Sequence, residues 1–318
     1  RVDYTDGTGS LLVEPQRTNL FIYSEDFSQS NWYLDGATPT SGQTSPRGDN
    51  SAFKLQFTGT NDYIQYAISG LDTTKDYTLS FYAKVDSGTT TIDAGNIIAG
   101  SYEVLTVTDE WQRFQVTQTP SATTRYPRPI QANGSDTIYL WGCQLEQASY
   151  PTSYIKTQGS SVTRNQDLYT KTGISDKINS EEGVLFVEIA KFQDDNDNFI
   201  LISLNNEASN SDDNIVTIGF KNNVKLYARV KSDGVATTFD SLTTNKNQFY
   251  KVALRYKSGD ISLYVDGIEI SSSTNTFTFT ETLDSLSFDY HRNSGDFPFQ
   301  GKVRQLQVFK TALSDSEL

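Results

Sequence analysis

Apolar and polar residues alternate along much of the first half of the chain, the period-2 pattern of β-strands with one buried face. The clearest run is residues 76–85, where every second residue is apolar: Tyr77, Leu79, Phe81, Ala83 and Val85. The intervening row holds Thr78, Ser80, Tyr82 and Lys84. Residues 51–57, 63–68 and 111–117 alternate in the same way. Because no helical period appears, the pattern predicts a β-sandwich.

The second half also reads as short strands separated by turns. The predicted strands cover residues 181–192, 199–204, 215–220, 224–231, 250–256, 261–265, 268–270, 286–290 and 302–309. Asn222 and Asn223 form a predicted two-residue turn, and Asp266-Gly267 forms a second tight turn, since these residue types tolerate positive φ. These elements predict a second β-sandwich.

A boundary between the two sandwiches is predicted in the stretch from Thr137 to Asp167. It begins as a strand that is apolar on both faces, with Tyr139, Trp141, Cys143 and Leu145 in one row and Ile138 and Leu140 in the other. Such a strand needs a cover on its second face, which we expect from the arm at residues 20–23 or from a neighbouring subunit. A Tyr-Pro corner at residues 150–154 then pins the exit of the strand.

The predicted fold class is therefore all-β, with two β-sandwich (jelly-roll) domains in tandem. We expect a linker at residues 1–10 and a first sandwich at 11–167 that opens with a short edge strand, Leu11–Val13. A second linker is expected at 168–179 and the second sandwich at 180–318. At 318 residues, two domains agree with the usual domain size. Since the sequence starts at Arg1 without Met, we expect it to be part of a longer protein.

Charge excludes some partners. The net charge is −13, and both halves share it: 11 basic and 17 acidic residues lie before Gln166, and 15 and 22 after. An acidic chain is a poor nucleic-acid binder, and no run of apolar residues is long enough for membrane insertion. The single cysteine, Cys143, lies among apolar neighbours, which favours a buried, inert thiol.

Three segments, DYTLSFYAKVDSG, EWQRFQVT and IYLWGCQLE, resemble the jelly-roll carbohydrate-binding modules often appended to xylanases and glucanases. LLVEPQRTNL and YPTSYIKTQGSSVTRNQD resemble the more particular modules of bacteriophage tail fibres, tailspikes and related surface proteins. The resemblance covers about residues 11–167. It implies a jelly roll that opens with the first of these motifs and closes with the second.

The segments YKVALRYKSGDISLYVDGIEI and FQGKVRQLQVFKTALSDSEL resemble the concanavalin A-like, laminin-G-like sandwich. Glycosidases of that fold carry Glu-x-Asp-x-x-Glu on one strand. Here Glu188 is the obvious strand carboxylate, but Ala190 replaces the Asp. The only histidine, His291, lies in a loop without partners for a triad or a lyase site. We therefore predict a protein that is not an enzyme.

Calcium is the one ion that the residues suggest. Asp194, Asp195 and Asp197 offer hard oxygen ligands in one turn, with a solvated acidic hairpin as the alternative. The EF-hand pattern fails there, since Phe199 occupies the glycine position. The resemblance to the first group of modules implies a structural calcium near the opening strand, where Glu14, Glu25 and Asp26 are the available carboxylates.

Sugar binding requires flat aromatic faces and planar polar groups. The outward rows of the first sandwich offer Tyr82, Tyr63, Gln65, Arg113 and Gln115, and loops offer Trp32, Tyr33, Arg125 and Tyr126. Packing is the alternative for Trp32 and Trp111.

We expect a non-catalytic glycan-binding or adhesion region of a phage fibre or surface protein. Its partner would be a cell-surface carbohydrate or polysaccharide, its oligomer a homotrimer, and its location the virion or the outside of a cell. One alternative is a structural spacer or virion decoration that contacts protein. Another is an accessory binding region of a secreted polysaccharide-degrading enzyme.

Overall fold

The computed structural model describes residues 1–4, 7–192, 199–206, 213–222, 224–290 and 297–318. Every regular element in these residues is a β-strand. In chain order the strands are β1 (Val2–Asp3), β2 (Ser10–Val13), β3 (Arg17–Asn19), β4 (Trp32–Asp35), β5 (Ala37–Gln43), β6 (Ala52–Phe57), β7 (Tyr63–Tyr66), β8 (Ile68–Ser69), β9 (Tyr77–Val85), β10 (Thr89–Gly95), β11 (Tyr102–Thr108), β12 (Gln112–Gln118), β13 (Thr124–Arg125), β14 (Arg128–Ala132), β15 (Thr137–Glu146), β16 (Val162–Arg164), β17 (Thr170–Lys171), β18 (Glu182–Lys191), β19 (Phe199–Asn205), β20 (Ile215–Lys221), β21 (Lys225–Ser232), β22 (Val235–Thr243), β23 (Tyr250–Lys257), β24 (Ile261–Val265), β25 (Ile268–Ser273), β26 (Ser285–Ser287) and β27 (Gly301–Phe309). None of these residues forms a helix able to cross a membrane.

The chain divides into two compact units. One is Gln16–Asn165, which we call the insert. The other combines Arg1–Pro15 with Gln166–Leu318, and we call it the host. Along the sequence, the insert thus interrupts the host.

The insert is a β-sandwich of two five-stranded sheets. Sheet I has the strand order β11-β10-β14-β7-β4, and sheet II has the order β12-β9-β15-β6-β5. The apolar row predicted on β9 is buried, together with the inward residues of the other strands, in one core cluster. Strands β3 and β16 pair antiparallel, Thr18 with Thr163, so the chain enters and leaves the insert side by side.

The host is a sandwich of a seven-stranded sheet, β1-β2-β27-β18-β23-β24-β25, and a six-stranded sheet, β17-β26-β19-β20-β21-β22. One large core of Ile, Val, Leu and aromatic side chains fills it. The predicted Asp266-Gly267 turn is confirmed, with φ of 51° and 81° between the paired residues Val265 and Ile268. Lys221 pairs with Lys225, so three residues connect β20 and β21 rather than two; of these, Asn223 lies outside the described residues.

The predicted start of the first sandwich at residue 11 differs from the structure. Residues Leu11, Leu12 and Val13 pair with β27 of the host, and Val13 is fully buried in the host core. Val2–Asp3 extends the same sheet, so residues 1–10 are not merely a linker. Thr170–Lys171, placed in the second predicted linker, pairs with β26. The apolar run Leu11–Val13 predicts a strand, but its sequence does not indicate which sheet the strand joins.

The row predicted to hold Tyr139, Trp141, Cys143 and Leu145 together is wrong, because β15 contains a bulge. Its register with β9 shifts between Trp141 and Gln144, at Gly142, whose φ is +61°. A bulge exchanges the two faces of a strand. Before it, Ile138 and Leu140 point into the core; after it, Cys143 and Leu145 do.

Candidate functional site

The outer face of sheet I gathers polar and aromatic side chains from neighbouring strands. Alternation on β7 buries Ile64 and Tyr66 and turns Tyr63 and Gln65 outward. Directly paired residues of antiparallel strands share a face. Tyr33 of β4 pairs with Gln65 and Gln131 of β14 pairs with Tyr63. The register therefore brings these four side chains to one face of the sheet, where Gln131 is only 8% exposed.

Arg128 lies at the centre of this surface. Its guanidinium carbon is 3.6 Å from the centroid of the Tyr63 ring, a cation–π contact. Arg128 Nε donates to Gln65 Oε1 at 3.2 Å, and Nη1 donates to Gln131 Oε1 at 2.5 Å. The ring centroid of Tyr102, on β11, is 5.8 Å from the guanidinium carbon. These contacts hold the guanidinium in one position.

The aromatic rings differ in how much of them is accessible. Tyr33 is 56% exposed, and its ring centroid is 6.0 Å from that of Tyr63. The Tyr63 ring is half-buried and carries the Arg128 guanidinium on one face, which leaves Tyr33 as the more open platform. Burial raises the pKa of Tyr63, with a smaller opposing effect of the Arg128 charge, so its hydroxyl stays protonated and able to donate.

Two carboxylates flank the Tyr63–Gln131 pair. Asp35 of β4 pairs with Tyr63, and Asp93 of β10 pairs with Gln131. Asp35 is exposed and Asp93 is half-buried. The surface, which we call the sheet I face (Tyr33, Asp35, Tyr63, Gln65, Asp93, Tyr102, Arg128 and Gln131), therefore offers aromatic platforms, amides, carboxylates and one guanidinium. Such a set can stack against a flat apolar face and hydrogen-bond to several hydroxyls at once.

The loop beside the face is held by its own polar contacts. Arg125 Nε donates to the carbonyl of Ile97 at 2.8 Å, and Asn96 Nδ2 donates to the carbonyl of Tyr126 at 2.9 Å. Arg125 is thus committed to loop structure. The Tyr126 side chain is 43% exposed and lies two residues before Arg128, the first residue of β14.

The ring of Trp32 is not available at the surface. Trp32 is 3% exposed and packs edge-on against Phe21, Phe27 and Tyr66. Its Nε1 donates to the carbonyl of Tyr23 at 2.8 Å. Trp32 therefore packs in the core and does not face a ligand, because it pairs with the inward residue Tyr66 and shares its face of the sheet.

Tyr82, Arg113 and Gln115 lie on sheet II, apart from the sheet I residues. Tyr82 packs against Trp141. Arg113 Nη2 donates to the Thr152 carbonyl at 2.7 Å and to Ser80 Oγ at 3.0 Å. Both are therefore occupied within the insert, whereas Gln115 is exposed. The residues predicted as one binding set are thus divided between two sheets, because alternation assigns a face but not a sheet.

The Tyr-Pro corner at residues 150–154, which we call the closing corner, covers the second face of β15. A cover for this face was predicted from the apolar residues on both sides of the strand. Tyr154 packs on Trp141, with ring centroids 4.6 Å apart, and Arg47 lies over both rings. Beyond the bulge, Gln144 and Glu146 are fully buried. Thr152 N donates to Glu146 Oε2 at 2.9 Å, and Ile155 N donates to Gln144 Oε1 at 2.7 Å. The cover is the chain's own corner rather than the arm, which meets β15 through Leu20 N and the Leu145 carbonyl.

Sequence reasoning missed Arg128, Gln131, Tyr102 and the two flanking aspartates. Arg128 and Gln131 stand in a segment, RYPRPIQA, whose prolines interrupt the strand pattern. A local signal existed in Ile130 and Ala132, whose spacing marks one buried row. This segment pairs with β7 and β10, and these pairings place Arg128 at the centre of the face. They join residues far apart in sequence, so no local pattern predicts them.

The carboxylates considered for calcium are engaged elsewhere. Glu25 Oε2 pairs with Lys156 Nζ at 2.6 Å, and Glu14 Oε2 with Arg1 at 2.8 Å. Asp26 accepts from Ser28 and Gln29, bonds that lower its pKa against the opposing effect of burial. Asp194, Asp195 and Asp197 lie outside the described residues. Within the described part of the chain, no three His, Cys, Asp or Glu side chains form a metal-binding cluster.

In the host, Glu188 pairs with Arg304, Oε1 to Nη1 at 3.1 Å. Its side chain is only 12% exposed, so the strand carboxylate predicted as the nearest to a catalytic one is part of an ion pair across β18 and β27. His291 lies outside the described residues.

Residues 185–318 match the family model described as the concanavalin A-like lectin/glucanases superfamily. The match covers less than half of the chain and lies within the host. It agrees with the laminin-G-like resemblance of that part of the sequence. A comparison with curated proteins gave no match.

Several solved structures are similar to parts of the chain. The CBM40 of a Ruminococcus gnavus IT-sialidase bound to α2,3-sialyllactose is 20% identical, covers 47% of this chain and 95% of its own, and has a TM-score of 0.38. The SAP-like pentraxin of Limulus polyphemus is 13% identical over 43% and 67%, at 0.35. The CBM22-1-CBM22-2 tandem domain of Paenibacillus barcinonensis Xyn10C is 10% identical over 95% and 100%, at 0.34. The similarity to the concanavalin A-like superfamily is thus limited to residues 185–318 of the host.

Proposed function

We propose that the insert is a non-catalytic carbohydrate-binding module and that its ligand lies on the sheet I face. The observation that carries this proposal is the arrangement around Arg128. An open platform, Tyr33, lies beside the Tyr63 ring, over which the Arg128 guanidinium is placed. The side-chain oxygens of Gln65 and Gln131 hold that guanidinium in position. Sugars offer the matching surface, a flat C–H face rimmed by hydroxyls.

Preorganisation favours binding by this face. The Arg128 side chain is held by two hydrogen bonds and by the Tyr63 ring, so little conformational entropy remains to be lost when a ligand binds. Gln65 keeps its NH₂ group for a ligand, whereas Gln131 is only 8% exposed and its Nε2 donates to Asn61 Oδ1 at 3.4 Å. The NH₂ group of Gln65 and the Tyr33 hydroxyl are thus the donors that stand beside Arg128 for a polyol ligand.

The wider setting of the proposal is a protein of the virion or cell surface. The motifs that resemble phage tail-fibre and tailspike modules support it, as does a host whose family includes lectins and glucanases. In that setting the chain serves adhesion to a glycan on a cell surface, and a homotrimer is the expected assembly. Mass measurement by light scattering tests the assembly separately.

A glycan array tests the binding proposal directly. The full chain is expected to bind a restricted set of glycans, and Tyr33→Ala should lower the signal for each of them without unfolding the protein. Gln115→Ala changes an exposed residue of sheet II and should leave the signal unchanged. Absence of signal on all glycans, or equal signals for wild type and Tyr33→Ala, would exclude this function and favour a structural spacer.

A further inference from the structure

We infer that Arg128 selects saccharides that carry an isolated carboxylate, such as a glycan with one uronic or sialic acid per repeat. The inference rests on the proposed function of the sheet I face and names the class of sugar that the face takes. It comes from the charge and the hydrogen bonding of one side chain.

Arg128 has no anionic partner among the described residues. Its hydrogen bonds go to two neutral amide oxygens, Gln65 Oε1 and Gln131 Oε1. Arg255, by contrast, contacts Asp260 and Asp315 at 2.9 and 2.6 Å, whereas Arg113 and Arg125 donate to backbone carbonyls of the insert. In a chain where 39 acidic residues outnumber 26 basic ones, a half-buried guanidinium bound only by amides retains a charge that a ligand can neutralise.

The guanidinium also retains donors for a carboxylate. Arginine has five N–H donors, and the two bonds to Gln65 and Gln131 use one on Nε and one on Nη1. Both N–H groups of Nη2 and one of Nη1 remain. A carboxylate can accept two of these in a bidentate pair, the geometry for which arginine is suited. Because Arg128 is half-buried, such a pair is screened less than an exposed one.

The flanking carboxylates limit how much negative charge the ligand can carry. Asp35 and Asp93 stand opposite Tyr63 and Gln131 in the neighbouring row. They can accept hydrogen bonds from hydroxyls of adjoining sugars, but they repel a second carboxylate or sulfate there. The net charge of −13 acts in the same direction. The face therefore fits one carboxylate within an otherwise neutral glycan and disfavours densely charged polymers such as heparin.

The test compares acidic glycans that bind the full chain with the same oligosaccharides after reduction of the carboxyl group to an alcohol. Calorimetry should show that reduction weakens binding at least tenfold, about 1.4 kcal/mol. In Arg128→Gln the acidic and reduced forms should bind equally weakly, and Arg128→Lys should keep part of the preference. As a readout that needs no variant, added NaCl should weaken binding of the acidic form and leave that of the reduced form nearly unchanged.

The outcomes separate the inference from the proposed function. If acidic and reduced forms bind equally well to the wild type and Tyr33→Ala weakens both, the function stands and the inference is wrong. Tighter binding of heparin than of a singly charged glycan would also overturn it. If no glycan of either kind binds, the proposed function fails and the inference fails with it.

Discussion

At the scale of single residues, register decides what a side chain does. Gln65 and Gln115 both belong to outward rows, and the sequence shows this for each. Gln65 faces Arg128, whereas Gln115 lies exposed on the opposite sheet. Tyr63 and Tyr66, three residues apart, have opposite roles, one on the face and one in the core. Alternation predicts inward or outward correctly here, but the neighbours of a side chain depend on pairings made over long sequence separations.

Cys143 gives a prediction at this scale. Its thiol is fully buried, and burial raises its pKa well above the usual value, so the reactive thiolate is scarce and out of reach. We expect no reaction with a thiol reagent such as DTNB in the folded protein at pH 8. In 8 M urea, one thiol per chain should react within minutes. Fast labelling without urea would show that β15 is not packed as described.

At the scale of elements, the bulge in β15 organises the insert. It places Cys143 and Leu145 in the core and sends Gln144 and Glu146 to the closing corner. The sequence predicted both the strand and the corner, because each has a strong local pattern. It did not predict the bulge, since a glycine between apolar residues fits a regular strand as well as an irregular one.

Gly142→Ala should destabilise the insert. The φ of +61° is unfavourable for alanine by about 1–2 kcal/mol, and the added Cβ would lie 3.4 Å from both Tyr82 and Tyr154. The free energy of unfolding can be followed by tryptophan fluorescence, because all three tryptophans, Trp32, Trp111 and Trp141, lie in the insert. Gly59→Ala is the matched control, as its Cβ would meet no atom within 4 Å. Equal stabilities of the two variants would argue against the bulge.

At the scale of the whole molecule, one sandwich interrupts the other in sequence. Two sandwiches were predictable from the number and spacing of alternating strands. The sandwich to which residues 10–13 belong was not predictable, because the sequence of a four-residue strand does not specify the strand with which it pairs. The structure pairs residues 11–13 with β27, more than 280 positions further along the chain. Strands from before and after the insert thus lie side by side in one sheet of the host.

Val13→Ala tests this topology. Val13 is fully buried in the host core, so removing two methyl groups should cost the host about 2 kcal/mol. Hydrogen exchange should accelerate in peptides of β27 and β18, while the tryptophan-monitored transition of the insert stays unchanged. Val116→Ala, at a position 1% exposed in the insert core, should show the reverse. If Val13→Ala instead shifted the unfolding transition reported by tryptophan fluorescence, residues 11–15 would belong to the first sandwich, and the described topology would be wrong.

The central claim is that carbohydrate binds on the sheet I face. The most direct measurement is calorimetric titration of wild type, Gln65→Ala and Gln115→Ala with the strongest glycan from the array. Gln65 orients Arg128 on the face, and Gln115 is a glutamine exposed on the opposite sheet, so the two variants differ in place and not in chemistry. We predict that Gln65→Ala weakens binding about tenfold, or 1.4 kcal/mol, and that Gln115→Ala binds as the wild type does. Weakening by Gln115→Ala with wild-type affinity in Gln65→Ala would contradict the claim and move the site to sheet II.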